Sequence, residues 1–227
     1  MHGQQAGPGQ GEAVLAQALA AYQAALGPRL IAAYALGSLA HGGFSPLVSD
    51  VDLGLVLDDP FRIKDRFTIR GVASAVRACG SPLHQRLSVF WGTPSTLRGR
   101  VRGGRFPPLD RLDLIEYGRL LAGADVRDGV ARPSRAELLV AGAQFALGTL
   151  GGDLGLADRV KGLIMRDKPG HDPVQEIRAP ALLAARGPRR VTKVVLFPVR
   201  FLFTAATGRV GTGPDRKSTR LNSSHAL

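Results

Sequence analysis

Apolar positions recur along the chain in two periods. In residues 11–26, Val14, Leu15, Ala18, Tyr22, Ala25 and Leu26 fall near helical spacing, and Gly27-Pro28 ends the run. Leu30–Leu36 is a continuous apolar run between turn signals, which predicts a buried strand. Residues 50–57, DVDLGLVL, predict a second strand, and residues 86–92 a third. Between these two lies an amphipathic helix over 65–79, stopped by Gly80-Ser81-Pro82. Residues 109–123 mix a helical turn with a short strand, and Ser134 caps an apolar helix running to Leu150. Helical patterns follow at 156–166 and 191–208.

Strands come first and helices later, and no internal repeat is visible. The order predicts an α+β fold: a small mixed β-sheet domain flanked by helices, then an α-helical C-terminal domain. The boundaries expected are 1–130 for the first domain and 131–214 for the second.

Composition adjusts this picture in a few places. A hydrophobic share of 44% in 227 residues is enough for one large domain or two small ones. Cys79 is the single cysteine, so no internal disulfide and no cysteine zinc site can form; it reads as a half-buried, passive thiol. His84 and His171 have no ligand-spaced partner, which also argues against zinc. No secretory leader pattern is present, and the most apolar stretch, 194–206, carries Arg200 and reads as a core helix. These features predict a cytoplasmic protein with no membrane partner.

The net charge of +12 raises the question of nucleic acid. Arginine supplies 25 of the 30 basic residues, spread along an Ala- and Gly-rich chain, which fits the codon bias of a GC-rich genome. No aromatic pattern for RNA stacking is present, so a nucleic-acid partner is not expected. The end of the chain, DRKSTRLNSSH from Asp215, resembles an in-frame translation of a sequencing adapter. Residues 215–227 are therefore read as a non-native tail; the natural gene is expected to continue past Pro214, and the charge without the tail is +10.

The chemistry is concentrated in residues 34–59. Asp50 and Asp52 are one residue apart in an apolar strand, so their side chains share a face, about 7 Å apart along it. Two neighbouring carboxylates are costly to bury without a cation. Mg²⁺ commonly takes one or two carboxylates plus substrate phosphates, so the pair suggests a metal site completed by a phosphorylated ligand. Gly37-Ser38 supplies the other half. Glycine lets backbone approach a phosphate, the start of a helix offers N–H groups, and Ser38 adds a hydroxyl donor.

The whole string, LGSLAHGGFSPLVSDVDLGLVL, resembles the signature of the polymerase-β-like nucleotidyltransferases. Gly37 and Ser38 match its Gly-Ser, and Asp50 and Asp52 its metal-binding pair. Residues 192–210 are also similar to the helical C-terminal segment of the streptomycin/spectinomycin (aminoglycoside) adenylyltransferases. The resemblance implies transfer of a nucleoside monophosphate, AMP from ATP, to a hydroxyl of a small molecule by two-metal catalysis. It implies Mg²⁺ (two ions) as cofactor, ATP as substrate and a hydroxyl acceptor as partner.

Two departures from that pattern are expected to matter. The family places a third carboxylate on a later strand, and here the matching position is Ser88. Either Glu116 or Asp113 substitutes, or the base is absent. Before the late helix the family has acids, whereas this chain has Arg186, Arg189, Arg190 and Lys193. A basic wall repels a cationic drug, so a neutral or anionic acceptor, or a macromolecule, is expected, with Lys193 and Arg190 as its contacts or as phosphate contacts. His41 reads as structural, Phe90 and Trp91 as core, and the basic loop over 98–105 as a solvated, mobile segment. A minimal protein-modifying nucleotidyltransferase of the toxin–antitoxin kind, and a nucleotide-binding remnant with weak activity, remain as alternatives. An RNA-tailing enzyme is motivated by charge alone.

Overall fold

A computed structural model of the chain describes residues 8–150 and 177–211. The helical pattern at 156–166, His171 and the tail at 215–227 lie outside the described residues. Helix α1 (Pro8–Leu26) ends in a 3₁₀ turn (Gly27–Arg29) that leads into β1 (Leu30–Leu36). The short helix α2 (Gly37–Ala40) follows, then β2 (Val51–Leu57), α3 (Ile63–Arg77), α4 (Pro82–Gln85) and β3 (Leu87–Gly92). Helices α5 (Pro94–Leu97) and α6 (Pro108–Tyr117) precede β4 (Arg119–Gly123). Helices α7 (Arg135–Leu150), α8 (Pro180–Ala185) and α9 (Pro188–Thr207) complete the described elements. The fold is α+β.

The sheet runs in the order β3-β2-β1-β4. β1 is antiparallel to both neighbours, and β2 is parallel to β3. Strand alternation sorts the side chains into two cores. On one face Ala33, Ala35, Leu53, Leu55, Leu57, Leu87 and Val89 pack under α1 and α3, which contribute Leu15, Tyr22, Ile69 and Val76. On the other face Ala32, Tyr34, Leu36, Val56 and Phe90 pack against Leu97 of α5 and Leu114 of α6. Asp52 belongs to this second face, because it sits between Val51 and Leu53 on a strand of period two.

Charged and polar groups tie the layers together. Arg29 Nη2 donates to Asp65 Oδ2 at 2.7 Å, and Asp65, almost fully buried, also accepts from the backbone N–H of Arg62. The same carboxylate thus serves the start of α3 and the end of the turn before β1. Tyr22 donates to the Ile69 carbonyl at 3.0 Å, joining α1 to α3. Tyr34 donates to Asp125 at 2.9 Å and accepts from Val126 N–H at 2.8 Å. Burial pushes both tyrosine hydroxyls up to about 12. Arg127 pairs with Asp125 and holds that carboxyl well below the usual range.

The described chain divides into two compact units: residues up to Pro133 together with the stretch from Val210, and Ser134–Arg209. In the second unit, Ser134 and Glu137 cap α7 reciprocally: the Ser134 Oγ accepts from Glu137 N–H, and the Glu137 carboxylate accepts from Ser134 N–H at 2.8 Å. Helix α9 ends at Gly208, whose φ of +68° is the left-handed conformation that closes helices.

Four local expectations change. Asp50 lies just before β2, which begins at Val51. Cys79 is exposed rather than half-buried, because it falls beyond the last turn of α3. Helix α9 buries Val194 and Thr204 but leaves Val195, Val199 and Leu202 exposed, so among the described residues it is amphipathic rather than a core helix. The basic loop is exposed over residues 98–103, as expected for a solvated segment, and differs from the expectation only in being tied at its Arg105 end. Arg105 donates through its guanidinium to the Val89 carbonyl at 3.0 Å, and its backbone exchanges two hydrogen bonds with Trp91.

Candidate functional site

The candidate site lies where the end of β1 meets the start of β2. In the antiparallel pair Leu36 stands opposite Asp52, so the residue after Leu36 begins its turn beside that carboxylate. Gly37 adopts a φ of +60°, a conformation glycine takes without strain. A Cβ there would collide with the Asp52 carboxylate oxygen. Glycine is therefore required twice, for its backbone angle and for the approach of Asp52. Ser38 follows in the first turn of α2 and is half-buried.

Asp50 is delivered by the loop before β2. Arg86, immediately before β3, donates to the carbonyls of Pro46 at 2.8 Å and Ser49 at 3.1 Å. Its own carbonyl accepts from Val51 N–H at 3.2 Å. One arginine thus brackets Asp50 from both sides. Ser49 adds a turn of its own, its Oγ accepting from Ser45 N–H at 3.0 Å. Asp50 and Asp52 are both half-buried.

Across the parallel pair, Asp52 is in register with Ser88. The side chain beside the carboxylate pair on β3 is therefore a hydroxyl. Of the two acids considered as substitutes, Glu116 is engaged elsewhere: it pairs with Arg132 and accepts from Val210 N–H. Asp113 instead reaches the Gly-Ser turn. Its Oδ2 accepts from Gly37 N–H at 2.6 Å, and its Oδ1 lies 4.0 Å from His41 Nε2. The Gly37 amide that the sequence offers to a phosphate is thus held by an aspartate. His41 also packs edge-on against Tyr117, with ring centroids 5.5 Å apart.

Gly37, Ser38, Asp50 and Asp52 all lie in the first unit; Asp52 packs against Gly37, and Ser88 stands in register with Asp52. Lys193 and Arg190 lie on α9 in the second unit, where Lys193 sits over the Phe197 ring. Among the described residues, no group of three His, Cys, Asp or Glu side chains is arranged to hold a metal ion. Two carboxylates that reach solvent still fit a hard cation that takes its remaining ligands from water and phosphate. Sequence reasoning missed Arg86 and the Asp113 hydrogen bond; both act across long stretches of chain, and no local motif marks them. No helix among the described residues is long and apolar enough to cross a membrane.

The fold and site are those of an α+β protein with a Gly-Ser turn packed on a strand-borne aspartate. No family model matches the chain, and no curated protein matches it. Among solved structures, it is similar to the spectinomycin adenyltransferase AAD(9) from Enterococcus faecialis, crystallised with ATP and spectinomycin. Identity is 14%, coverage is 89% of this chain and 91% of that one, and the TM-score is 0.47.

Proposed function

We propose that the protein is a nucleotidyltransferase that moves AMP from ATP to a hydroxyl of a small molecule. The observation that carries this reading is the packing of Asp52 against Gly37. It joins a strand-borne carboxylate to a Gly-Ser turn that offers the Ser38 hydroxyl beside it.

Asp50 and Asp52 would hold Mg²⁺, which when bound neutralises charge on the triphosphate. Ser38 donates its hydroxyl to a phosphate oxygen, and Gly37, having no Cβ, lets the Asp52 carboxylate pack against the turn. The acceptor oxygen attacks the α-phosphorus in line as the bond from that phosphorus to the α–β bridging oxygen breaks; pyrophosphate leaves and the acceptor's proton passes to solvent, so catalysis is mainly positioning. By charge alone, the basic run that includes Arg190 and Lys193 favours a neutral or anionic acceptor, or a macromolecule, over a cationic one.

Ser88 favours a second reading. A serine hydroxyl does not take a proton from an attacking alcohol at neutral pH, and losing a general base costs about 10²–10⁴-fold. The chain would then bind nucleotide and transfer slowly.

Incubation with α-labelled ATP, Mg²⁺ and pools of small molecules, protein or RNA tests both readings. Labelling of a small molecule that vanishes in Asp50→Asn and Asp52→Asn supports transfer. ATP binding with very slow labelling supports the second reading. Labelling that survives in both variants excludes the carboxylate pair as the site.

A further inference from the structure

We propose that Asp113 is the positioning residue of the Gly37-Ser38 turn, holding the backbone in the shape a nucleotide meets. This rests on the nucleotidyltransferase reading of the site. Asp113 lies in α6 with 7% of its surface exposed, flanked by the fully buried Leu112 and Leu114. Burying a carboxylate there is costly, and the Gly37 N–H recovers part of the cost through a short, charge-assisted bond of 2.6 Å. The turn is gripped from two sides, by Asp52 against its α-carbon and by Asp113 on its amide. One helical turn further along α6, Tyr117 meets the His41 ring at the far end of α2. Helix α6 therefore braces α2 at both ends.

Two consequences follow. The Gly37 amide is committed to protein, so phosphate recognition falls to Ser38 and to the carboxylate-bound cation. The left-handed angle at Gly37 is also held by a bond rather than left to the chain's own preference. Asp113 lies on α6 rather than on β3, and its Oδ2 serves the Gly37 amide.

Calorimetric titration of the full chain with ATP and Mg²⁺ tests the proposal, using Asp113→Asn and Asp113→Ala. Asparagine keeps an acceptor of the same shape, and its Kd stays within about fivefold of wild type. Alanine removes the acceptor, and its Kd rises about tenfold or more, the scale of one charge-assisted hydrogen bond. Alanine binding as tightly as wild type overturns the proposal, and tighter binding shows that Asp113 competes with phosphate. Asparagine weakening as much as alanine also overturns it, since charge rather than the bond would then matter. If circular dichroism shows the alanine variant unfolded, asparagine decides alone at the fivefold limit. Wild-type chain that binds no ATP overturns the nucleotidyltransferase reading along with this one; normal wild-type binding with an unaffected alanine variant overturns this one alone.

Discussion

Ser88 stands in register beside Asp52 across the parallel β2–β3 pair. Adjacent strands place such partners about 5 Å apart, so a longer acid at 88 would enter the carboxylate site. On the proposed nucleotidyltransferase reading, Ser88→Glu is expected to raise the rate of AMP transfer by at least about tenfold, the low side of what a general base contributes. Ser88 is half-buried, so the larger side chain has a route to solvent. Labelled-product release under saturating ATP checks this, and an unchanged rate means that the β3 position does not face the reacting hydroxyl.

Gly37→Ala is expected to damage stability and binding together. The substitution strains a backbone angle of +60° and forces Asp52 aside. Together these cost about 1–3 kcal/mol. Denaturant titration measures the first effect and ATP titration the second. An alanine variant with wild-type values for both would mean that the turn has another accessible shape.

Asp65→Ala removes the partner of Arg29 and an acceptor for the Arg62 amide. Asp65 is 3% exposed, while the Arg29 side chain retains 14%. Leaving the arginine without that carboxylate is expected to cost about 2–3 kcal/mol, below the full value for a completely buried pair. Urea unfolding monitored by circular dichroism reads it. A loss under about 0.5 kcal/mol would show that Asp58, 3.8 Å from Arg29, takes over.

Tyr22 and Tyr34 set an alkaline limit. Burial is the main cause that lifts both hydroxyls to about 12. The unfolded chain ionises them near 10. Their folded pKa values are raised, so the stability they contribute is complete below about pH 10 and is lost as pH climbs toward 12. Unfolding followed by tyrosinate absorbance should turn sharply cooperative in that window. In Tyr22→Phe the onset moves to higher pH, although the lost bond to the Ile69 carbonyl lowers stability at neutral pH.

Much of the sheet was legible because its strands are extreme. Residues 30–36 are apolar throughout, and the alternation of Leu53, Leu55 and Leu57 with Asp52, Gly54 and Val56 states both faces of β2. Strand β4 was blurred, since Arg119 and Leu120 are exposed on a short edge and resemble a loop. Asp50, Asp52, Gly37 and Ser38 were legible as a spacing. The Asp113 bond to Gly37 was not, because 76 residues separate the partners and an aspartate inside a helix looks like surface. Arg86 was hidden for the same reason: its targets, Pro46 and Ser49, lie 40 and 37 residues away. Helix α9 read as core because apolar density alone does not reveal which side is covered.

The two backbone hydrogen bonds between Trp91 and Arg105 have a further meaning. Strand β3 ends the sheet, and an open strand end invites another chain to add itself. At Trp91 that invitation is already answered from within, by a segment whose arginines also repel a copy of themselves. The loop that drew notice for its charge thus works as a selvedge, taking up the backbone groups of Trp91 near the end of the edge strand.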